Sequence, residues 1–367
     1  MPASHKITAW TMKQLSQIYL VMLLITTLSG CTTLGYYSQA VSGHLSLMMS
    51  TQSVSGLIDA PSTPTALKQK LLVANEARQF AAHRLALPVG DAFAEYAELG
   101  RPWVVVNLVA VPEFSLQAHQ WCYPVVGCQA YRGYYELENA RDEQQLFIED
   151  GYDTFIGGVT AYSTLGWFDD PLHTGFTSLS EDRMVALMFH ELAHRVVYIS
   201  DDTAFNESFA TAVELEGLRL WLETEGDDSG FRKALARLRQ RNQTLALIEE
   251  ASRQLETLYA QQDTLPKTEL RHQKAQLFQT LQDDYLALVA TWEQPGPFGE
   301  NPTGLNNANL ALFSQYNQHV PAFRQLLRDH AGDFSDFYNA VETLAGQSRE
   351  IRQRRLSRLG QRFHEDF

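Results

Sequence analysis

From Thr63 to Leu87 the apolar residues Leu67, Leu71, Ala74, Ala77, Phe80, Ala81 and Leu85 recur at helical spacing, which predicts an amphipathic helix. The pattern then changes. "WVVVNLVAV" (103–111) is a β-branched apolar run and reads as a buried strand. "YDTFIGGVTAYS" (152–163) reads as a second strand, weakened or bulged at Gly157 and Gly158. Beyond Leu179 the spacing is helical again. "SEDRMVALMFHELAHRVVYI" opens with Ser180 two residues ahead of Asp182, a helix-start signal. Residues 231–292 are rich in Leu, Ala, Gln, Arg and Glu and are interrupted at Pro266, which predicts a long helical hairpin with one solvated face. A Pro/Gly/Asn loop over 293–310 is long enough to suggest a role at a site. "VPAFRQLLRDH" and "DFSDFYNAVETLA" predict two closing helices. Residues 32–56 are mostly small and polar and show neither a helical nor a strand period.

The N-terminus changes the picture. Lys6 and Lys13 are the only formal charges in the first thirty residues, and "IYLVMLLITTLSG" (18–30) leads to Cys31. About a dozen apolar residues are too few for a comfortable membrane span and suit a signal-peptide core, an uncleaved anchor being the alternative. "LSGC" (28–31) resembles a bacterial lipobox. That resemblance implies residues 1–30 as signal peptide, a lipid on Cys31, and 31–62 as a tether. Thr32, rather than Asp, after the cysteine resembles an outer-membrane address facing the periplasm. Cys122 and Cys128 then remain as an even pair in "WCYPVVGCQAYRGYY", and an oxidising compartment favours joining them; the alternative is a second zinc site, for which the sequence holds no second cysteine pair. Composition adds less. The 367 residues, 45% hydrophobic and 20% charged, suffice for one large core or two smaller ones. A formal net charge of −14 makes the chain a poor partner for nucleic acid.

The candidate chemistry lies in "FHELAHRVVYISDDTAFNESFATAVE" (189–214). His190 and His194, four apart, share one helix face one turn apart, so both imidazoles can reach one tetrahedral ion. Glu191 lies beside the open coordination position, where it can take a proton from water. The motif is short. Its setting in the apolar run "VALMF" makes a buried, unpaired Glu-His-His set costly, which argues for a metal, zinc by this donor pattern. Asp201, Asp202, Glu207 and Glu214 are candidates for the third ligand. Glu207 and Glu214 are seven residues apart, roughly 10 Å along a helix, so both cannot bind one ion.

"NESFA" (206–210) resembles the second helix of gluzincin metallopeptidases, in which the glutamate after the asparagine is the ligand. The resemblance implies Glu207 as ligand, with Glu214 and Asn206 in supporting positions, Glu214 orienting a histidine. The twenty-residue spacing of thermolysin-like enzymes would instead select Glu214. From the lipobox to the C-terminus, the chain is similar to zinc-dependent aminopeptidases found as proteobacterial lipoproteins. The residues that carry this are "WCYPVVGCQAYRGYY", "GGVTAYSTLGWFDDPL" (157–172), "HELAHRVVY", "FNESFATAVE", "NNANLALFSQY" (306–316) and "FYNAV" (337–341). A "GxMEN"-like segment, which binds a free amino terminus in classical aminopeptidases, is absent from the sequence.

The resemblance implies an α+β fold: a mainly helical gluzincin-like core over 63–367, with a small β-sheet and a long helical hairpin. An α/β part would span about 63–175 and a zinc-binding helical part about 176–367. The implied activity is zinc-dependent hydrolysis of peptides at the cell envelope. The alternatives are an endopeptidase for misfolded envelope proteins and a zinc-stabilised scaffold without catalysis. Peptide hydrolysis produces an oxyanion that needs a donor. Tyr316, Asn306 and Asn307 are the candidates, followed by His319 and His330. Gly157, Gly158 and Tyr162 are candidates for binding a substrate backbone along an edge strand. Arg195 is expected to form a structural ion pair.

Overall fold

The structure is a computed structural model that describes residues 35–123, 127–160, 169–200, 202–226, 228–292, 296–299, 302–313 and 318–364. Cys31, Tyr162 and Tyr316 lie outside the described residues. The chain divides into two units, one ending at Met49 and one spanning Ser50–Phe367. In the first, residues 35–49 form a helix, α1, where the sequence suggested no regular element. Its glycines and serines dilute the apolar period, which is why the pattern was not legible.

The second unit is a mainly helical α+β arrangement. It opens with a short strand β1 (Gln52–Ser53) and helix α2 (Val54–Asp59), again inside the stretch that gave no period. Helix α3 (Thr65–Arg84) follows the predicted spacing and buries Leu71, Ala74, Ala77 and Ala81. A set of short strands comes next: β2 (Glu95–Ala97), β3 (Val105–Pro112), β4 (Trp121–Tyr123), β5 (Gly127–Gln129) and β6 (Arg132–Tyr134). Helix α4 (Leu137–Glu149), not foreseen from the sequence, leads to β7 (Tyr152–Val159) and β8 (Leu172–His173).

Three small sheets result, with strand orders β1-β2-β8, β6-β3-β7 and β4-β5. β3 is central in the second sheet and pairs antiparallel with β7 from Val105↔Val159 to Pro112↔Tyr152 without interruption. The expected bulge at Gly157 and Gly158 is therefore absent: each glycine keeps its backbone in register, opposite Asn107 and Val106. A Cβ on Gly158 would lie 3.3 Å from the Trp103 side chain, so this glycine admits the indole. In the β4-β5 hairpin Cys122 faces Cys128, and the two are joined in a disulfide.

The rest is helical: α5 (Thr174–Thr177), α6 (Glu181–Ala193), α7 (Thr203–Glu225), α8 (Asp228–Tyr259), α9 (Lys267–Val289), α10 (Asn307–Phe313), α11 (Val320–Asp329), α12 (Phe334–Ala345) and α13 (Arg349–Arg362). α8 and α9 form the predicted hairpin, and Pro266 caps α9. A third closing helix, α13, follows the two that were expected. The main core joins α3, α6, α7, α11, α12 and α13, through side chains such as Leu71, Phe189, Phe209, Phe323, Val341 and Leu356. A second cluster, including Ile248, Leu255, Leu270 and Leu281, fills the hairpin.

Candidate metal centre

The site begins at the C-terminal end of α6. His190 occupies its last turn, and His194 caps it with helical backbone angles (φ −62°, ψ −18°). The one-turn offset survives the helix end, and the two imidazole centroids are 5.0 Å apart.

Asn206, Asp202 and Gly217 set the loop and α7 against this end. Asn206 clamps the connecting loop: its Oδ1 accepts from the Ile199 N–H at 2.9 Å and its Nδ2 donates to the Ile199 carbonyl at 2.8 Å. Asp202 caps α7 by accepting from the Phe205 N–H at 3.3 Å. Its other oxygen is held by Arg352 of α13 at 2.6 Å, a pair with both side chains largely buried. Gly217 then admits close helix packing, because a Cβ there would lie 2.8 Å from Leu85 Cδ1 and 2.9 Å from Phe189 Cδ2.

The outcome is a compact donor set. Glu207 lies 3.4 Å from Nε2 of His190 and 3.7 Å from Nε2 of His194. One ligand atom from each of His190, His194 and Glu207 falls within 4.8 Å of the others, so these three side chains could hold a metal ion. Glu214, two turns beyond Glu207, lies 3.0 Å from Nδ1 of His190. A carboxylate only accepts, so Nδ1–H donates to Glu214, and Nε2, on the side of Glu207, is the nitrogen left to ligate a metal. Asn206 touches the loop rather than the donor set.

The electrostatics of the donor set suit a cation. Burial pushes the Glu191 carboxyl up to about 7; the His190 charge opposes this, and the charges of Glu207, Asp170 and Glu214 add to it. Burial lowers His194 to about 4, so its ring is neutral and one of its nitrogens carries a lone pair that can ligate a metal. Burial disfavours charge on His190 too, but hydrogen bonds to Glu207 and Glu214 outweigh it and raise its pKa. Nδ1 of His194 is buried with no hydrogen-bond partner among the described residues. Three carboxylates thus crowd two imidazoles in an apolar setting, where a divalent cation would neutralise the repulsion. Two imidazole nitrogens and one carboxylate form a donor set that suits zinc.

The other predicted residues have different surroundings. Asn307 is fully buried. Its Nδ2 donates to the carbonyls of Pro112 (3.2 Å) and Glu113 (3.0 Å), and its Oδ1 accepts from Tyr259 (2.7 Å). Both amide hydrogens are occupied, so Asn307 has no donor left for an oxyanion; it joins the hairpin to β3. Asn306 donates to the Thr154 carbonyl at 3.1 Å and accepts from the Ala308 N–H at 2.9 Å, starting α10. Gly157 and Gly158 sit on β7, at one end of its sheet. The residue after that strand, Thr160, reaches helix α5, since a Cβ on Gly175 would lie 2.5 Å from its carbonyl oxygen. Arg195 pairs with Asp169 at 3.2 Å and donates to the Val89 carbonyl at 2.9 Å. The His319 N–H donates to Ser208 Oγ at 3.1 Å, which sets this residue beside the turn that carries Glu207. His330 caps the far end of α11.

Sequence reasoning gave no role to Asp170, Gly217 or Arg352. Asp170 belongs to the quoted "WFDDPL" stretch, but nothing there distinguishes an acid whose field reaches Glu191. Gly217 lies inside a helical run, where a glycine is itself a signal of close packing.

Compared with curated proteins and with solved structures, the chain finds no significant match in either. A family model described as "Putative aminopeptidase" does match, over residues 35–356, which includes all the residues of the centre and nearly every helix around it. The chain belongs to that aminopeptidase family.

Proposed function

We propose that the protein is a zinc-dependent peptidase of the bacterial envelope, an aminopeptidase by family, held at a membrane by a lipid on Cys31. One observation carries the reading: His190, His194 and Glu207 converge within 4.8 Å, with Glu191 buried beside them. Bound there, zinc would supply Lewis acidity, polarising the scissile carbonyl and easing the loss of a proton from water. The chain's residues do the rest. Glu191 takes the proton from the attacking water and returns it to the leaving amine, the role of a carboxylate beside the open coordination position. Glu214 fixes the ring orientation of His190 through Nδ1. Glu207 adds the negative charge that two neutral imidazoles lack.

Lipidation and an outer-membrane location facing the periplasm are supported by the lipobox-like "LSGC", and an exported setting accords with the Cys122–Cys128 disulfide. Peptide as substrate is supported by the family. Elemental analysis tests the centre. About one zinc per chain is expected, as for a single three-ligand site, and His190→Ala or His194→Ala should remove it. Wild-type protein without stoichiometric metal would refute the reading.

A further inference from the structure

We infer that α1 lies along the membrane surface with an apolar stripe inserted among the lipids, so that the protein is held by a helix as well as by its lipid. The inference rests on the lipidation of Cys31 proposed above, and deepens it.

The stripe is Tyr37, Val41, Leu45 and Met49, which are 38%, 57%, 52% and 81% exposed. They make up four of the ten large apolar side chains exposed among the described residues, gathered within one helix. Spacing by four rotates each side chain by about 40°, so the set covers an arc of roughly 120°. On the same wheel Ser42 and Ser46 lie beyond one edge of the arc. Leu47, on the far side, is buried. An exposed apolar stripe of this kind marks a contact surface.

Three observations select a bilayer as its occupant. The stripe starts six residues after Cys31, at most about 20 Å of extended chain, so a lipid at Cys31 keeps the helix within reach of the membrane. No Asp, Glu, Lys or Arg occurs between Lys13 and Asp59, so entry of α1 into the interface buries no formal charge. The helix of residues 35–49 is only about 22 Å long, shorter than the hydrocarbon core, and no described helix is long and apolar enough to cross a membrane. It can lie on a bilayer but not span it. α1 also falls inside the matched family region, which begins at residue 35.

The test uses the full chain in phosphatidylcholine vesicles. With Cys31 acylated and Cys122 joined to Cys128, a new cysteine is the single free thiol. Leu45→Cys, Met49→Cys and Ser46→Cys variants are each labelled with an environment-sensitive dye, and the vesicles carry nitroxide on their acyl chains. Flotation with the vesicles reports the anchor; quenching reports the helix. The expected result is flotation of all three, with labels at 45 and 49 blue-shifted and quenched at least about twofold more than the label at 46. Flotation with equal, solvent-like emission at all three positions would overturn the helix proposal and leave the anchor standing. Loss of flotation would overturn both. Labels at 45 and 49 that become buried with rising protein concentration, without vesicles, would assign the stripe to a second copy of the chain and overturn the proposal.

Discussion

Glu214 Oε2 lies 3.0 Å from Nδ1 of His190, on the ring edge opposite the Nε2 that faces Glu207. Seven residues separate the two glutamates on α7, and one imidazole lies between their carboxylates. The geometry gives them distinct tasks. Glu207→Ala should cut zinc affinity drastically, because two histidines alone hold the ion weakly. Glu214→Ala should cost roughly 10–100-fold, as for a lost orienting contact. Chelator competition at fixed pH ranks the two; a larger loss in Glu214→Ala would reverse their roles.

Glu191 makes the metal-free protein sensitive to pH. Its folded pKa is raised from 4.5 to about 7, mainly by burial. A carboxyl raised in this way favours the fold at low pH and withdraws that contribution as pH climbs from about 4.5 to 7. Glu191→Gln should therefore make chelated protein more stable than wild type at pH 8, by at most about 3 kcal/mol, and nearly equal at pH 4. Thermal unfolding in chelator measures this; a variant less stable than wild type at pH 8 would contradict it.

Gly217 gives a prediction opposite to helix propensity. In an exposed helix, Gly→Ala stabilises by ~1 kcal/mol. Here the new methyl would meet Leu85 and Phe189 at 2.8 and 2.9 Å. Gly217→Ala should destabilise by about 1–3 kcal/mol through overpacking. Zinc affinity should fall too, since Phe189 precedes His190. Urea denaturation, followed by zinc titration of the folded variant, checks both.

Arg352 supports the site from 150 residues away in sequence. Its removal leaves the Asp202 carboxylate largely buried and unpaired at the start of α7. Arg352→Ala should cost roughly 3–5 kcal/mol, in the range of a broken buried pair. An exposed neighbour, Arg355→Ala, should change stability by less than about 0.5 kcal/mol. The two denaturation midpoints measured side by side decide the matter.

Periodic elements were legible from the chain; contacts between distant segments were not. His190 and His194 could be placed because one helical turn fixes their relation, and α3 because its apolar residues repeat. α13 escaped notice because "REIRQRRLSRLGQR" buries only Arg352, Leu356 and Leu359, too few to stand out against six arginines. Asn306 and Asn307 looked like loop residues at a site. Their partners, Thr154, Pro112 and Tyr259, lie 48 to 195 residues away and give no local signal. Gly157 and Gly158 suggested a bulge, but glycine keeps a full set of backbone groups and the ladder runs through them. Of the four acids weighed as third ligand, Asp202 turned out to be a helix cap paired with arginine.

The most direct test of the central claim is digestion of a peptide library by the purified protein, with and without chelator, beside Glu191→Gln. The account predicts release of N-terminal residues by wild type, loss of cleavage in chelator, recovery on adding zinc, and at least a 10²–10⁴-fold lower rate in Glu191→Gln with zinc still bound. Wild-type protein that carries one zinc per chain yet cleaves no peptide, or a Glu191→Gln variant as active as wild type, would contradict it.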